Sequence, residues 1–236
     1  MKKVDKDITL KSSKWSFEGN VNKYFDVHVK KSVPLYTETH NLICNFSDYF
    51  INQNSTVYDI GCSTGTLLKK IAKRHKDIEN LKLIGFDISE NMVEHSKKNC
   101  KLNNVKYYKK DITKTKLKQS SIILSVYTMQ FIRPKERQNI INKIYESLEW
   151  GGGFFLFEKV RGSDARFQEM MQNVYTEFKL SNKFTSEEII NKTKSLKGIL
   201  EPFSSSGNLG LLERSGFKDI ETIFRYNCFE GYLAIK

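Results

Sequence analysis

The segment V-Y-D-I-G-C-S-T-G at residues 57–65, followed at once by Leu67 and Leu68, constrains this chain more than any other feature. A β-branched, apolar run that ends in two glycines four residues apart reads as a strand turning sharply into a helix. Gly61 supplies the tight turn and Gly65 lets helix and strand pack closely. The backbone between them can then approach a ligand without side chains in the way. Glycine is common in any strand-to-helix turn, so this unit alone indicates only a nucleotide-like ligand.

The rest of the chain repeats the strand–helix alternation. Strand-like runs lie at 56–60, 81–86, 105–108, 121–126 and 153–157, and helix-like stretches at 67–75, 89–100 and 134–148. Such alternation implies parallel strands buried on both faces. The helix at 134–148 is the clearest: Ile140, Ile141, Ile144, Tyr145 and Leu148 form its apolar face, Pro134 suits its first turn, and W-G-G-G at 150–153 reads as its stop. Ahead of the first strand, residues 1–52 read as a helical extension split by Pro34, with the charged residues 1–15 expected to fray. Residues 162–206 read as a polar helical insertion, a lid rather than core. The chain closes with a short helix at 209–215, a stop at Gly216, and two β-like runs at 218–226 and 229–235. The expected fold is an α/β three-layer sandwich with a mostly parallel seven-stranded sheet and a C-terminal antiparallel hairpin. With 236 residues, one domain is expected over 1–236.

Several acids fall where such a sheet binds ligands, at the carboxyl edge of its strands. Asp87 ends the second strand in I-G-F-D-I-S, placed either to accept both ribose hydroxyls or to cap the helix that follows. Asp111-Ile112 ends the third, where a carboxylate can accept from an adenine amino group and the aliphatic neighbour can cover the ring. Ser125-Val126-Tyr127-Thr128 follows the fourth, on the side where an acceptor would lie. The turn reads D-x-G-x-x-x-G rather than G-x-G-x-x-G, and Asp59 suits an ammonium better than a pyrophosphate, which prefers bare helix N-terminal amides. Together these favour S-adenosylmethionine (SAM) over a dinucleotide. The candidate cofactor contacts are Asp59, Gly61, Cys62, Ser63 and Gly65 on the turn, then Asp87, Ile88 and Met92. Asp111, Ile112 and Val126 complete the set.

Composition narrows the setting. A net charge of +12 leaves two explanations open, contact with tRNA or other anions and a drift toward lysine, asparagine and isoleucine. No Lys/Arg stripe alternates with aromatics as a nucleic-acid footprint should. Cys44, Cys62, Cys100 and Cys228 are widely spaced with no C-x-x-C pair, so reduced thiols are expected and no metal site. The first residues have no apolar core of a secretory signal, and no apolar run approaches the roughly 18 residues of a membrane helix. A cytoplasmic protein without a membrane partner is expected.

Longer blocks carry a resemblance. W-S-F-E (15–18), K-S-V-P-L-Y (31–36), F-D-I-S-E-N-M (86–92), T-M-Q-F-I-R-P-K-E-R-Q (128–138), K-I-Y-E-S-L (143–148) and G-G-F-F-L-F-E-K (152–159) make the chain from about Trp15 onward resemble the carboxy-SAM synthases. Those enzymes have the class I methyltransferase (Rossmann-like) fold and serve wobble-uridine modification of tRNA. The resemblance implies conversion of SAM and prephenate to carboxy-SAM through a sulfonium ylide, and a homodimer. It implies SAM contacts at Tyr36, Gly61, Asp87 and Asp111-Ile112, with the Tyr36 ring near the sulfonium, where cation–π attraction is favourable.

Two departures stand out. The family's asparagine after the fourth strand is Val126 here, and the arginine that grips the added carboxylate in many members aligns near Leu211. Leucine cannot replace a bidentate guanidinium; Arg161, Arg166 and Arg214 are the nearest cations that could. Three readings are therefore carried forward. The first is a carboxy-SAM synthase using prephenate. The second is an ordinary methyltransferase on a small molecule or tRNA, with Tyr127 or Glu158 as general base. The third is a non-catalytic RNA- or protein-binding module.

Overall fold

A computed structural model describes residues 21–236, with side chains from Tyr24 onward. The expected fraying of residues 1–15 and the W-S-F-E block lie outside the described residues. The chain begins with α1 (Val21–Ser32) and α2 (Tyr36–Ser47), separated at Pro34 as expected. Then follow β1 (Thr56–Ile60), α3 (Thr66–Arg74), β2 (Lys82–Asp87), α4 (Glu90–Asn99), β3 (Val105–Lys109) and β4 (Ser120–Val126). After a 3-10 turn (Met129–Phe131) come α5 (Pro134–Ser147), β5 (Leu148–Lys159), α6 (Ala165–Ser181), α7 (Ser186–Ser195) and α8 (Ser205–Ser215). The hairpin β6 (Asp219–Tyr226) and β7 (Phe229–Ile235) closes the chain.

The seven strands form one sheet in the order β3-β2-β1-β4-β5-β7-β6. All neighbours from β3 to β5 run parallel, and β7 is antiparallel to both β5 and β6. This is the expected mostly parallel sheet with a closing hairpin. The order reverses between β1 and β4, and the crevice at such a reversal is where open α/β sheets bind ligands.

Alternate residues of the central strands feed two cores, as the period of a strand requires. Val57, Ile122, Leu124, Phe155 and Phe157 pack with α2 and α3 on one face. Tyr58, Ile60, Ile123, Phe154 and Leu156 pack with α5 and α8 on the other. Both faces are covered, which explains why these strands read as near-continuous apolar runs.

Three expectations are corrected. The W-G-G-G stretch does not stop a helix: α5 ends at Ser147, and β5 already pairs Leu148 with Ser120 before the register shifts to Ile122 and Gly153. The glycines form a bulge that binds the chain end, with the Gly151 N–H donating to the Lys236 carbonyl at 2.7 Å, and Gly151 has φ +78°. The last helix starts at Ser205, four residues before 209, capped by the Ser204 hydroxyl. Gly207 hid its first turn, since glycine disfavours helix. Finally, α6 is not only a solvated lid. Tyr175 is buried in the α2/α3-side core, and its hydroxyl donates to the Ser32 carbonyl at 2.7 Å.

Candidate active site

The glycine turn is held from two directions. The N–H groups of Gly61 and Cys62 both donate to the Phe86 carbonyl, at 2.7 and 2.9 Å, tying the turn to the end of β2. Gly61, at φ +75°, lies against Thr128, and a side chain there would run into the Thr128 hydroxyl and methyl. Gly65, also at φ +75°, lies against the Tyr107 ring, whose hydroxyl donates to the Gly65 carbonyl at 3.1 Å. Both glycines are required by conformation and by close approach together.

Asp87 does more than either role read from its position. One carboxylate oxygen accepts from the Ser63 N–H and the other from the Ser89 N–H, each at 2.9 Å. It thereby clips the glycine turn to the start of α4, while the cap of α4 itself is Ser89, whose hydroxyl accepts from Met92 N. Burial raises the Asp87 carboxyl above its ordinary value, opposed by those two N–H donors. Asp59 has no such support. It is 3% exposed, and its carboxylate accepts no hydrogen bond among the described residues. Burial, and secondarily the charge of Asp87, push it up to about 7. A buried acid lacking a donor fits a cationic ligand group, such as the ammonium of an amino acid.

Across the crevice stands an aromatic wall. Tyr36 opens α2, its ring 4.4 Å from the His40 ring and 6.2 Å from the Tyr127 ring between centroids. Tyr127 is set at φ +57°, its N–H donates to the Phe157 carbonyl at 2.6 Å, and its ring meets Phe229 edge-on. Burial raises both phenols well above their ordinary value. Burial likewise pushes the His40 imidazole down to about 3. All three are neutral near pH 7.

Between the turn and this wall lies a cavity of about 870 Å³. Asp59, Gly61, Cys62 and Ser63 line it from the turn, and Asp87, Ile88 and Met92 from the end of β2 and the start of α4. Asp111 and Ile112 line it after β3, Val126 and Tyr127 after β4, and Tyr36 from α2. Asp111 closes a local turn by accepting from the Thr113 N–H and hydroxyl on one oxygen, at 2.9 and 2.7 Å. Its other oxygen accepts nothing among the described residues. Burial and neighbouring acids hold the Cys62 thiol well above its usual range, so it is a wall, not a nucleophile. Gly65 is not a lining residue; it shapes the turn from behind. Among the described residues, no group of three or more His, Cys, Asp or Glu side chains is placed to hold a metal ion. No helix among them is long and apolar enough to cross a membrane.

Comparison with known proteins decides the family. Residues 57–152 match a methyltransferase domain family. A carboxy-S-adenosyl-L-methionine synthase from Staphylococcus epidermidis is 39% identical over 94% of this chain and 97% of its own. One from Campylobacter lari is 34% identical over 94% of both chains. The chain belongs to the carboxy-S-adenosyl-L-methionine synthase family. Solved structures agree on the fold. Human N-acetylserotonin methyltransferase in complex with SAM superposes with a TM-score of 0.62 at 17% identity, over 91% of this chain and 57% of that one. A TehB-like SAM-dependent methyltransferase from Corynebacterium glutamicum gives 0.58 at 14% identity, over 92% and 96%. This carboxy-SAM synthase family member is therefore a SAM-dependent transferase with the class I methyltransferase fold, which removes the non-catalytic reading. SAM is its cofactor. The acids at the ends of β1, β2 and β3 fit its ammonium, ribose and adenine amino groups.

Knowing the family gives the T-M-Q-F-I-R-P-K-E-R-Q block a physical role. Arg137, 2% exposed, donates to the carbonyls of Ile132 and Gln130 at 2.8 and 3.3 Å and lies over the Phe203 ring. Gln130 donates to the Tyr127 carbonyl and accepts from the Lys159 N–H. Glu158 accepts from the Met129 N–H at 3.0 Å. These three side chains brace the loop that presents Tyr127.

Glu158 is thus misplaced as a general base: it is not among the cavity-lining residues. Burial pushes its carboxyl up to about 8, against the pull of Arg137 and the loop N–H groups. Leu211 is also corrected. It is 4% exposed in the core under α5, with Leu212 beside it, and does not line the cavity. Its identity says nothing about the carboxylate grip. Of the three substitute cations, Arg161 lines the cavity; Arg166 and Arg214 do not. Arg214 donates to Gln138 on the surface. The residues that sequence reasoning missed are His40, Lys159, Tyr175 and Lys179, all lining the cavity. Lys159 ends the G-G-F-F-L-F-E-K block, so a signal for it was present.

Proposed function

We propose that this chain converts SAM to carboxy-SAM, with prephenate supplying the carboxylate, for modification of the wobble uridine of tRNA. The observation that carries this reading is the charge division of the cavity. Asp59, Asp87 and Asp111 line the cavity at the carboxyl edge of β1, β2 and β3, with Lys110 as the cation beside them. From residue 159 to residue 197 the charged lining is mostly cationic, with Lys159, Arg161 and Lys179 set against the single acid Glu188. An acidic end suits the ammonium and hydroxyls of SAM. A cationic end suits a co-substrate that carries carboxylates, and is of little use to a neutral methyl acceptor. The Tyr36 and Tyr127 rings between them offer faces to the sulfonium.

No strong base stands at that point. The two phenols are neutral, and His40 holds a proton too weakly to take one from a sulfonium methyl. The proton leaving the methyl then goes to a group that the co-substrate brings, and the chain's residues position the partners and exclude water. Val126, at the acceptor edge, supports the second reading, ordinary methyl transfer, because an apolar side chain there favours an apolar acceptor. The four cysteines, all free and buried, support a reducing, cytoplasmic setting. Family resemblance supports a homodimer.

Incubating the purified protein with SAM, with and without prephenate, and weighing the nucleoside products separates the readings. The expected product is a species heavier than SAM by one carboxylate, formed only with prephenate, from protein that elutes as a dimer by light scattering. S-adenosylhomocysteine as the prephenate-independent product would overturn the first reading in favour of the second.

A further inference from the structure

Lys159 at the end of β5 and Lys179 on α6 converge on one aromatic ring. Their ammonium groups stand 4.4 and 4.2 Å from the centroid of Tyr175. The ring is fixed: its hydroxyl donates to the Ser32 carbonyl, and its edge meets Phe229 at 5.4 Å between centroids. Phe229 in turn meets Tyr127 at 5.8 Å, so the two lysines reach the aromatic wall beside the loop after β4. All five side chains line the cavity.

Neither lysine has an ion-pair partner or a side-chain hydrogen bond among the described residues. Two like charges held together and partly desolvated are unfavourable, and a cation–π face offsets only part of that. Burial lowers both ammonium groups, and Lys159 pushes Lys179 further, to about 8. Buried charges are otherwise paired, and among the described residues no carboxylate pairs with either lysine, so the place suits an anionic ligand.

We propose that Lys159 and Lys179, with Tyr175 as the surface between them, form a binding subsite for a carboxylate on the acceptor-side co-substrate. The proposal rests on the reading that a carboxylate-bearing molecule meets SAM in this cavity. The surroundings define the ligand further. Tyr175, Phe229 and Tyr127 flank the cations, so the carboxylate belongs to a molecule with a flat or aromatic body. A nucleic-acid backbone would need these cations on an open groove, whereas they lie inside the cavity on a core aromatic.

The test uses protein saturated with S-adenosylhomocysteine, so that no turnover occurs, titrated calorimetrically with phenylpyruvate, with prephenate and with the methyl ester of phenylpyruvate. The acids are expected to bind and the neutral ester to bind at least tenfold more weakly. Lys159→Met and Lys179→Met are each expected to weaken acid binding about tenfold or more, with Lys179→Arg retaining most of it and S-adenosylhomocysteine affinity unchanged. Acids and ester binding alike, no acid binding at millimolar concentration, or methionine variants that bind the acids as the parent does would each overturn the subsite. The acid–ester comparison is made on the parent protein and stands even where a variant fails to fold. The two readings also fail separately. Lysine-dependent acid binding without carboxy-SAM formation keeps the subsite and removes the prephenate reaction. Carboxy-SAM formation with an unchanged KM for prephenate in both methionine variants does the reverse.

Discussion

Asp59 lies on β1, where burial first and then the charge of Asp87 push its proton affinity upward. A carboxylate that accepts no hydrogen bond among the described residues is placed to receive the SAM ammonium, and only its ionised form does so. Because its pKa stands at about 7, a proton competes with SAM below neutrality. SAM affinity is therefore expected to fall as pH drops from about 7.5 to about 5.5. Binding near pH 6.5 should release part of a proton, measurable by calorimetry in buffers of different ionisation enthalpy. Asp59→Asn keeps the shape but not the charge. It should weaken SAM about tenfold or more, the worth of one charge-assisted contact, and abolish the proton release. Equal affinity in parent and variant, flat across this range, would place the ammonium elsewhere.

The loop from Tyr127 to Arg133 has little structure of its own beyond a single 3-10 turn. Its shape comes from β5 through Glu158 and from α5 through Arg137. Replacing Arg137 with lysine leaves a cation but loses the fork that reaches two carbonyls at once. The expected loss is about 3 kcal/mol of stability, the usual scale for breaking a buried charged network, read as an earlier urea midpoint. Turnover should fall more than SAM affinity, because the loop presents Tyr127 and not the cofactor acids. A variant with native turnover would show that the loop holds its shape without the fork.

The same stretch marks what a sequence reveals about elements. Seven strands and the helices between them were readable, because each buried face repeats at its own period. A titratable side chain on a strand takes its role from its parity, as Glu158 shows. Phe155, Phe157 and Lys159 share one face of β5, and Glu158 lies on the other with Phe154 and Leu156. Alternation along the strand could have selected Lys159 over Glu158 for the Tyr175 side of the sheet. The glycines at 151–153 were ambiguous in principle, since a helix stop and a strand bulge use the same residue for the same positive φ.

At the scale of the molecule, the acidic half of the site was legible, and of the cationic half only Lys159 left a trace, in its strand parity. Asp59, Asp87 and Asp111 lie at or just past the carboxyl ends of β1, β2 and β3, so the fold alone brings them to one edge. Lys159 and Lys179 meet only because α6 folds back to bury Tyr175 in the core, and no spacing in the sequence encodes that. Burying so many ionisable groups has a consequence for the whole chain. Asp59 and Glu158 are raised from 3.8 and 4.5 to about 7 and about 8, so above pH 4 the folded state holds protons that the unfolded state has lost. Their contribution to stability declines as pH rises through those values. His28 and His40, lowered from 6.5 to about 3, act oppositely, adding stability as pH rises from about 3 to about 6.5. Below about pH 6.5 the two pairs oppose each other; above it only the acids still titrate. Stability is therefore expected to stay level from about pH 4.5 to about 6.5 and to fall by on the order of 1 kcal/mol by pH 8, seen as a shift of the urea midpoint. Glu158→Gln keeps an acceptor for the Met129 N–H and removes the later part of the decline. Saturating SAM, which binds ionised Asp59, should remove the earlier part, leaving the midpoint nearly constant across that interval when the two are combined. A midpoint that rises steadily from pH 6.5 to 8 in the parent protein would mean that both acids are ionised in the fold despite their burial.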